Sequence, residues 1–343
     1  MVWTGKYYNA QRGTDLAKRS AILYQLMKSL RIIYMGTPSF AISPLQKILE
    51  TKHKVVAVVT APDRKSGRGK KLTPSPIKVF CEENDLPVLQ PPNLKDPDLI
   101  TQLRELDPDV MVVVAFRMLP KEVWSIPPNG TFNLHASLLP KYRGAAPIHW
   151  AIINGEKQTG ATTFFINEQI DTGEIIAQKS LPIGLDENTG QLSNRLEKLG
   201  ATLTVETLDL IATDRVNSSP QPNNDQQSFA PKLTRENTQL QWDQEGQCIE
   251  RKVRGLQPFP CAWTMLSNNG NVLYCKIHDV DFIEGKQPLE DGQIFVENQQ
   301  IMVAVPNGTI RVKRLQLPNK KPMSDKELLN GYSIYAESSF ENP

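Results

Sequence analysis

Residues 30–38 read LRIIYMGTP, an apolar run interrupted only by Arg31 and stopped by a Gly-Thr-Pro turn. Apolar residues at successive positions suit a strand covered on both faces, the mark of a parallel sheet packed between helices. A helix candidate, residues 39–50, follows the turn. Two further runs repeat the pattern, residues 55–60 and 110–115, the second apolar throughout. Together they predict an α/β class fold: a doubly wound, mostly parallel, Rossmann-like sheet, with residues 131–134 and 162–166 as additional strands. Leu192, Leu196, Leu199 and Leu203 recur at helical spacing and read as one core-packing face.

The pattern changes in the second half. Residues 214–228 are rich in Pro, Asn, Gln and Ser and almost devoid of apolar residues, as in a linker. Beyond it, residues 272–277, 293–297, 301–305 and 310–315 are short strand candidates separated by Gly, Asn or Asp turns. With no long helix among them, a small C-terminal β-barrel of the oligonucleotide-binding type is expected. The expected division is residues 1–26 as an extension outside the fold, 27–213 as the first domain, 214–234 as the linker and 235–343 as the barrel domain.

Composition bounds the rest. Of 343 residues, 39% are hydrophobic and 22% charged, the balance of an ordinary soluble chain. No apolar run approaches the roughly 20 residues that span a bilayer, so no membrane partner is expected. The start mixes Lys6, Arg12, Asp15, Lys18 and Arg19 with polar residues and has no signal-peptide core. A cytoplasmic protein is expected, although a basic transit segment has a similar composition. Cys81, Cys248, Cys261 and Cys275 form no C-x-x-C pair, so neither zinc, nor any other metal, nor a disulfide framework is expected. A net charge of +2 does not imply nucleic acid by itself.

The densest chemical signal is residues 133–147, NLHASLLPKYRGAAP. Asn133 and His135 stand two apart on a strand and so project to one face. They also fall at its C-terminal end, where open α/β sheets bind ligands. An amide and a protonated imidazole can share one carbonyl oxygen and stabilise the oxyanion that forms there; losing one such donor costs roughly 10²–10³ in rate. Asp171-Thr172-Gly173 supplies a carboxylate in a turn, able to support His135 and to accept a proton from an attacking amine. With no Ser or Cys nucleophile in the set, direct transfer without a covalent enzyme intermediate is expected.

Asn133 and His135, followed by Ser137-Leu138-Leu139-Pro140 and Arg143-Gly144, resemble the active-site signature of the folate-dependent formyltransferases. The family also carries an Asp in a D-x-G turn, matched by Asp171-Thr172-Gly173. The resemblance implies that Asn133, His135 and Asp171 are the catalytic trio, and that Ser137, Leu138, Leu139 and Pro140 border the folate. It also implies no tightly bound cofactor, with 10-formyltetrahydrofolate as a co-substrate. One departure is visible at Ala115-Phe116-Arg117-Met118-Leu119-Pro120. The family has an aromatic-Gly pair and a longer turn lining its pterin pocket.

Residues 63–78, DRKSGRGKKLTPSPIK, bear on the acceptor. Arg64, Lys65, Arg68, Lys70, Lys71 and Lys78 face a single acid, Asp63. Such a loop suits a polyanion, and it is no P-loop, because Lys71 stands where Ser or Thr is required. It resembles the basic insertion of the methionyl-tRNA formyltransferases. That resemblance implies initiator methionyl-tRNA as partner, with Arg68 making the main contact and Arg64, Lys70 and Lys71 assisting. It also implies Phe40 near the methionine side chain, and Lys232 as a further positive contact. The similarity runs from Leu30 to Phe340, through Trp242, Arg254, Pro258, Pro260 and Trp263 to Met323 and Leu329-Asn330-Gly331. A monomer is expected. A formyltransferase for a sugar-nucleotide or purine-precursor amine would have no use for the basic loop. An idle RNA-binding protein would not need the trio, and an oxidoreductase would need a G-x-G-x-x-G that residues 36–39 lack.

Overall fold

The computed structural model describes residues 28–66, 71–222, 227–285 and 287–341; the expected extension, residues 1–26, lies outside them. In chain order the first part runs β1 (Arg31–Gly36), α1 (Ile42–Leu49), β2 (Lys54–Val59), the hairpin β3 (Arg64–Ser66) and β4 (Lys71–Thr73), then α2 (Pro76–Glu83), β5 (Val88–Leu89) and α3 (Pro97–Glu105). It continues through β6 (Val110–Val114), α4 (Lys121–Trp124), β7 (Thr131–His135), β8 (Arg143–Gly144), α5 (Pro147–Ile153), β9 (Gln158–Phe165), β10 (Ile175–Pro182), α6 (Thr189–Ala212) and β11 (Phe229–Ala230).

Seven of these strands form one sheet, ordered β10-β9-β7-β6-β1-β2-β5. The five from β5 to β7 are parallel, and β9 and β10 join antiparallel at one edge. Every residue of β6 is buried, as its unbroken apolar run requires of a strand covered on both faces. From β1 the chain builds outward in two directions, to β2 and β5 and then to β6 and β7. That reversal opens a crevice beyond the C-terminal ends of β1 and β6, the usual ligand position in such sheets.

The helix expected over residues 39–50 divides into a 3₁₀ turn, Ser39–Ala41, and α1. Pro44 has no N–H to give the Phe40 carbonyl, so the regular helix starts at Ile42 and keeps Pro44 in its first turn. On α6, Leu192, Leu196 and Leu203 are buried and Leu199 half-buried. Asn188 caps this helix reciprocally with Gln191. A Cβ at Gly200 would lie 2.8 Å from Leu134 Cδ2, so glycine lets α6 lie close against β7.

The second part comprises α7 (Gly246–Gly255), β12 (Ala262–Asn268), β13 (Asn271–Glu284), β14 (Ile294–Glu297), β15 (Gln300–Val305), β16 (Gly308–Gln316), β17 (Met323–Ser324), α8 (Asp325–Leu329) and β18 (Ser339–Glu341). Its antiparallel sheet is ordered β14-β15-β16-β13-β12-β18, with β17 on β16. The two ends meet. Gln293 bridges to Ser339, the Ile294 N–H donates to the Ser338 carbonyl at 2.9 Å and the Phe340 N–H to the Gly292 carbonyl at 2.8 Å, closing a small barrel. Gly292 has φ +87°, and a Cβ there would stand 2.5 Å from the Phe340 oxygen, so closure requires glycine. Inside, Trp242 stacks on Phe340 with centroids 4.9 Å apart.

The two parts join through α5 and α7. Thr189 Oγ1 donates to the Gly255 carbonyl at 2.6 Å and Arg254 Nη1 to the Glu187 carbonyl at 2.7 Å. Among the described residues no helix is long and apolar enough to cross a membrane.

Candidate active site

Strand β7 divides its side chains by alternation. Phe132 and Leu134 enter the core, while Asn133 and His135 line a cavity of about 720 Å³. Phe40 after β1, the turn after β6, residues 144–147 and the loop carrying Asp171 complete its walls.

The His135 ring is held at both nitrogens. Nε2 lies 2.8 Å from the Tyr142 carbonyl; because a carbonyl only accepts, Nε2 carries a proton and donates it there. Nδ1 faces Asp171 Oδ2 at 3.7 Å. In the neutral ring Nδ1 is therefore the lone-pair nitrogen, free to take a proton. Once it has done so, the cation stands against a carboxylate. The side chains are 7% and 13% exposed, so bulk water screens this pair little. Asp171 Oδ2 also accepts the Gly144 N–H at 2.8 Å. Among the described residues no hydrogen bond to the Asn133 amide is formed, which leaves it for a ligand.

Backbone geometry keeps this arrangement. Asp171 and Tyr142 adopt left-handed conformations, φ +54° and +60°, sparsely populated states that persist where surrounding contacts hold them. Gly173 permits the Asp171 turn, since a Cβ there would fall 1.6 Å from the Phe165 oxygen. Gln221 then ties the turn down: Nε2 donates to the Asp171 carbonyl at 2.9 Å and to the Gly173 carbonyl at 2.8 Å. Its Oε1 accepts from Arg143 Nη2 at 2.6 Å. Ser228 Oγ accepts the Tyr142 N–H at 2.9 Å, and β11 pairs with β8 beside it. The Tyr142 hydroxyl donates to Glu156 at 2.9 Å; burial above all pushes the phenol up to about 12, opposed by the hydrogen bond with Asn154 and aided by this carboxylate.

Tyr142, Gln221 and Ser228 were not legible as site residues. Two of them lie in the polar stretch read as a linker, whose Gln and Ser side chains serve the backbone of the site. Ser137, Leu138, Leu139 and Pro140, expected at the folate, stand behind the cavity and not on its surface. Ser137 Oγ donates to the Lys141 carbonyl, Thr162 Oγ1 to the Ser137 carbonyl at 2.6 Å and Gln178 Nε2 to the Leu139 carbonyl at 2.8 Å. These bonds draw the segment onto β9 and β10. Phe40 does line the cavity, as do residues 115–119 of the turn after β6. Arg64 is exposed on the β3–β4 hairpin. Arg68, Lys70 and the side chain of Lys71 lie outside the described residues.

Residues 28–208 match the Formyl transferase family and residues 232–333 its C-terminal domain. The methionyl-tRNA formyltransferase of Flavobacterium johnsoniae is 46% identical over 312 residues, covering 91% of this chain and 99% of the relative. The chain belongs to the methionyl-tRNA formyltransferase family. Two solved structures share the fold of the family at lower identity. The N-formyltransferase from Helicobacter canadensis, in complex with folinic acid and dTDP-3-aminofucose, aligns with TM-score 0.62 and 20% identity over 84% of this chain and all of its own. HypX from Aquifex aeolicus, in complex with tetrahydrofolic acid, aligns with TM-score 0.59 and 17% identity over 88% of this chain. The chain spans 47% of that longer protein.

Proposed function

We propose that the chain transfers the formyl group of 10-formyltetrahydrofolate to the α-amino group of initiator methionyl-tRNA. The observation that carries this reading is the meeting of Asn133, His135 and Asp171 at one cavity, in a chain of this family. The cavity has the size of a small-ligand site, and both fold relatives hold a folate in their structures. The neutral methionyl amine attacks the formyl carbon. Asn133 and the protonated His135 stabilise the resulting oxyanion. The amine proton leaves toward Asp171, directly or through water, and an equivalent proton is delivered to the folate nitrogen as its bond to carbon breaks. The acceptor stem is met by Arg64, Arg68, Lys70 and Lys71, whose charges suit phosphates. Residues 27–213 supply the chemistry, 214–234 link, and 235–343 form the tRNA-binding barrel, with Lys232 adding positive charge at its edge.

The test is formylation by the purified chain of charged initiator tRNA, charged elongator tRNA and an amino-sugar nucleotide. Strong preference for the initiator tRNA is expected. Transfer to the sugar nucleotide with none to tRNA would overturn the acceptor assignment.

A further inference from the structure

Arg117 occupies the turn after β6, where left-handed Ala115 (φ +48°) swings residues 115–119 onto the cavity wall. Its guanidinium reaches across to a different loop. Nη1 donates to the Pro92 carbonyl at 3.0 Å and Nη2 to the Pro91 carbonyl. Two successive carbonyls suit the planar fork of an arginine.

The contacts continue toward the basic hairpin. Gln90, next along the same loop, donates through Nε2 to the Ala61 carbonyl at 2.9 Å and to Asp63 Oδ1 at 2.7 Å. Asp63 Oδ2 accepts from Lys78 Nζ at 2.7 Å. Lys78 and then Gln90 hold the Asp63 carboxyl below its ordinary value. Asp63 immediately precedes β3. Burial, and after it the charge of Arg64, lowers the Arg117 pKa. An unbroken series of hydrogen bonds and chain links joins wall and hairpin through Arg117, Pro91, Gln90 and Asp63.

We propose that Arg117 is a positioning residue that clamps the folate-cavity wall and the base of the basic hairpin into one unit. It rests on the proposed function, in which one element borders the formyl donor and the other engages the acceptor tRNA. Transfer needs the reacting atoms about 3–3.5 Å apart, and a displacement of about 1 Å costs roughly 10²-fold. A fixed relation between the two substrate-binding elements supplies that alignment.

The experiment is a double-mutant cycle of Arg117→Ala and Gln90→Ala, read as KM for each substrate and as kcat. Arg117→Ala is expected to lower kcat about ten-fold or more, because the two substrates lose their alignment, and to raise KM for tRNA and for 10-formyltetrahydrofolate about ten-fold each, the effect of a lost charge-assisted hydrogen bond. Arg117→Lys should recover part of both. Gln90→Ala should raise the tRNA KM alone. The double variant should raise it by less than the product of the two single effects, because both break one connection. If Arg117→Ala changes only the folate KM, or if the two effects multiply fully, the clamp is refuted. Should Arg117→Ala fail to fold, Arg117→Lys completes the same cycle with Gln90→Ala. A wild-type chain unable to formylate charged tRNA would remove the proposed function, whereas multiplying effects in an active enzyme remove only the clamp.

Discussion

Replacing Asp171 in two ways separates its chemical role from its structural one. Asn is isosteric, can still accept the Gly144 N–H now held at 2.8 Å, and tolerates the left-handed backbone at φ +54°. Asp171→Asn should therefore change stability by less than about 1 kcal/mol. It removes the negative charge 3.7 Å from His135 Nδ1 and with it the proton acceptor. General-base losses run roughly 10²–10⁴ in rate, or about 2.7–5.4 kcal/mol of transition-state stabilisation. Asp171→Ala loses the same chemistry and more. The charge-assisted bond to Gly144 is worth about 1.5–3 kcal/mol, and an alanine forced into the left-handed region adds about 1 kcal/mol. The side chain is 13% exposed, so little of this is recovered by water. Single-turnover formylation with both substrates saturating, beside urea denaturation of the same preparations, measures the two quantities. The expected result is Asn slow and stable, Ala slow and destabilised by about 2.5–4 kcal/mol. A near-wild-type single-turnover rate for Asp171→Asn would refute the role of the carboxylate. Equal stability of the Asn and Ala proteins would refute the account of how the turn is held.

Gln221→Ala should lower kcat by about ten-fold or more, because the Asp171 turn loses both carbonyl anchors while the cavity stays intact. Gln221→Glu should be worse, since a carboxylate would then face the carbonyl oxygens of Asp171 and Gly173; steady-state kinetics that rank Glu above Ala would contradict this. The pH dependence of stability has a separate source in His53, buried with Nδ1 accepting the Leu30 N–H at 3.2 Å. Burial lowers its pKa, partly opposed by Asp209, so as pH falls the unfolded chain takes up the proton first. Its stabilisation is complete above about pH 6.5 and is lost as pH falls through the depressed folded value. Denaturation at about pH 7.5 and about pH 5.5 should show a larger loss in the wild type than in His53→Gln; equal losses would exclude His53 as a contributor.

What was legible in the sequence depended on whether its cause was local. β1, β2 and β6 announce themselves because a strand buried on both faces must be apolar at nearly every position. β10 escaped notice because it lies at the sheet edge, with Gln178 and Ser180 exposed along it, and so it carries no such run. The shared face of Asn133 and His135 follows from strand alternation alone. Their meeting with Asp171 does not, since it needs the loop after β9 to fold back and be fastened by Gln221, fifty positions further on. A polar stretch such as residues 214–228 looks the same whether its side chains meet water or satisfy buried carbonyls, because both demand donors and acceptors and neither demands periodicity. Ser137–Pro140 shows the opposite case: the family resemblance implied a place beside the folate, while here Thr162 and Gln178 draw that backbone onto β9 and β10. Where an unpaired backbone group must find its partner outweighs nearness in the chain, and it is that demand which brings the distant Gln221 to the site and takes the neighbouring Leu139 from it.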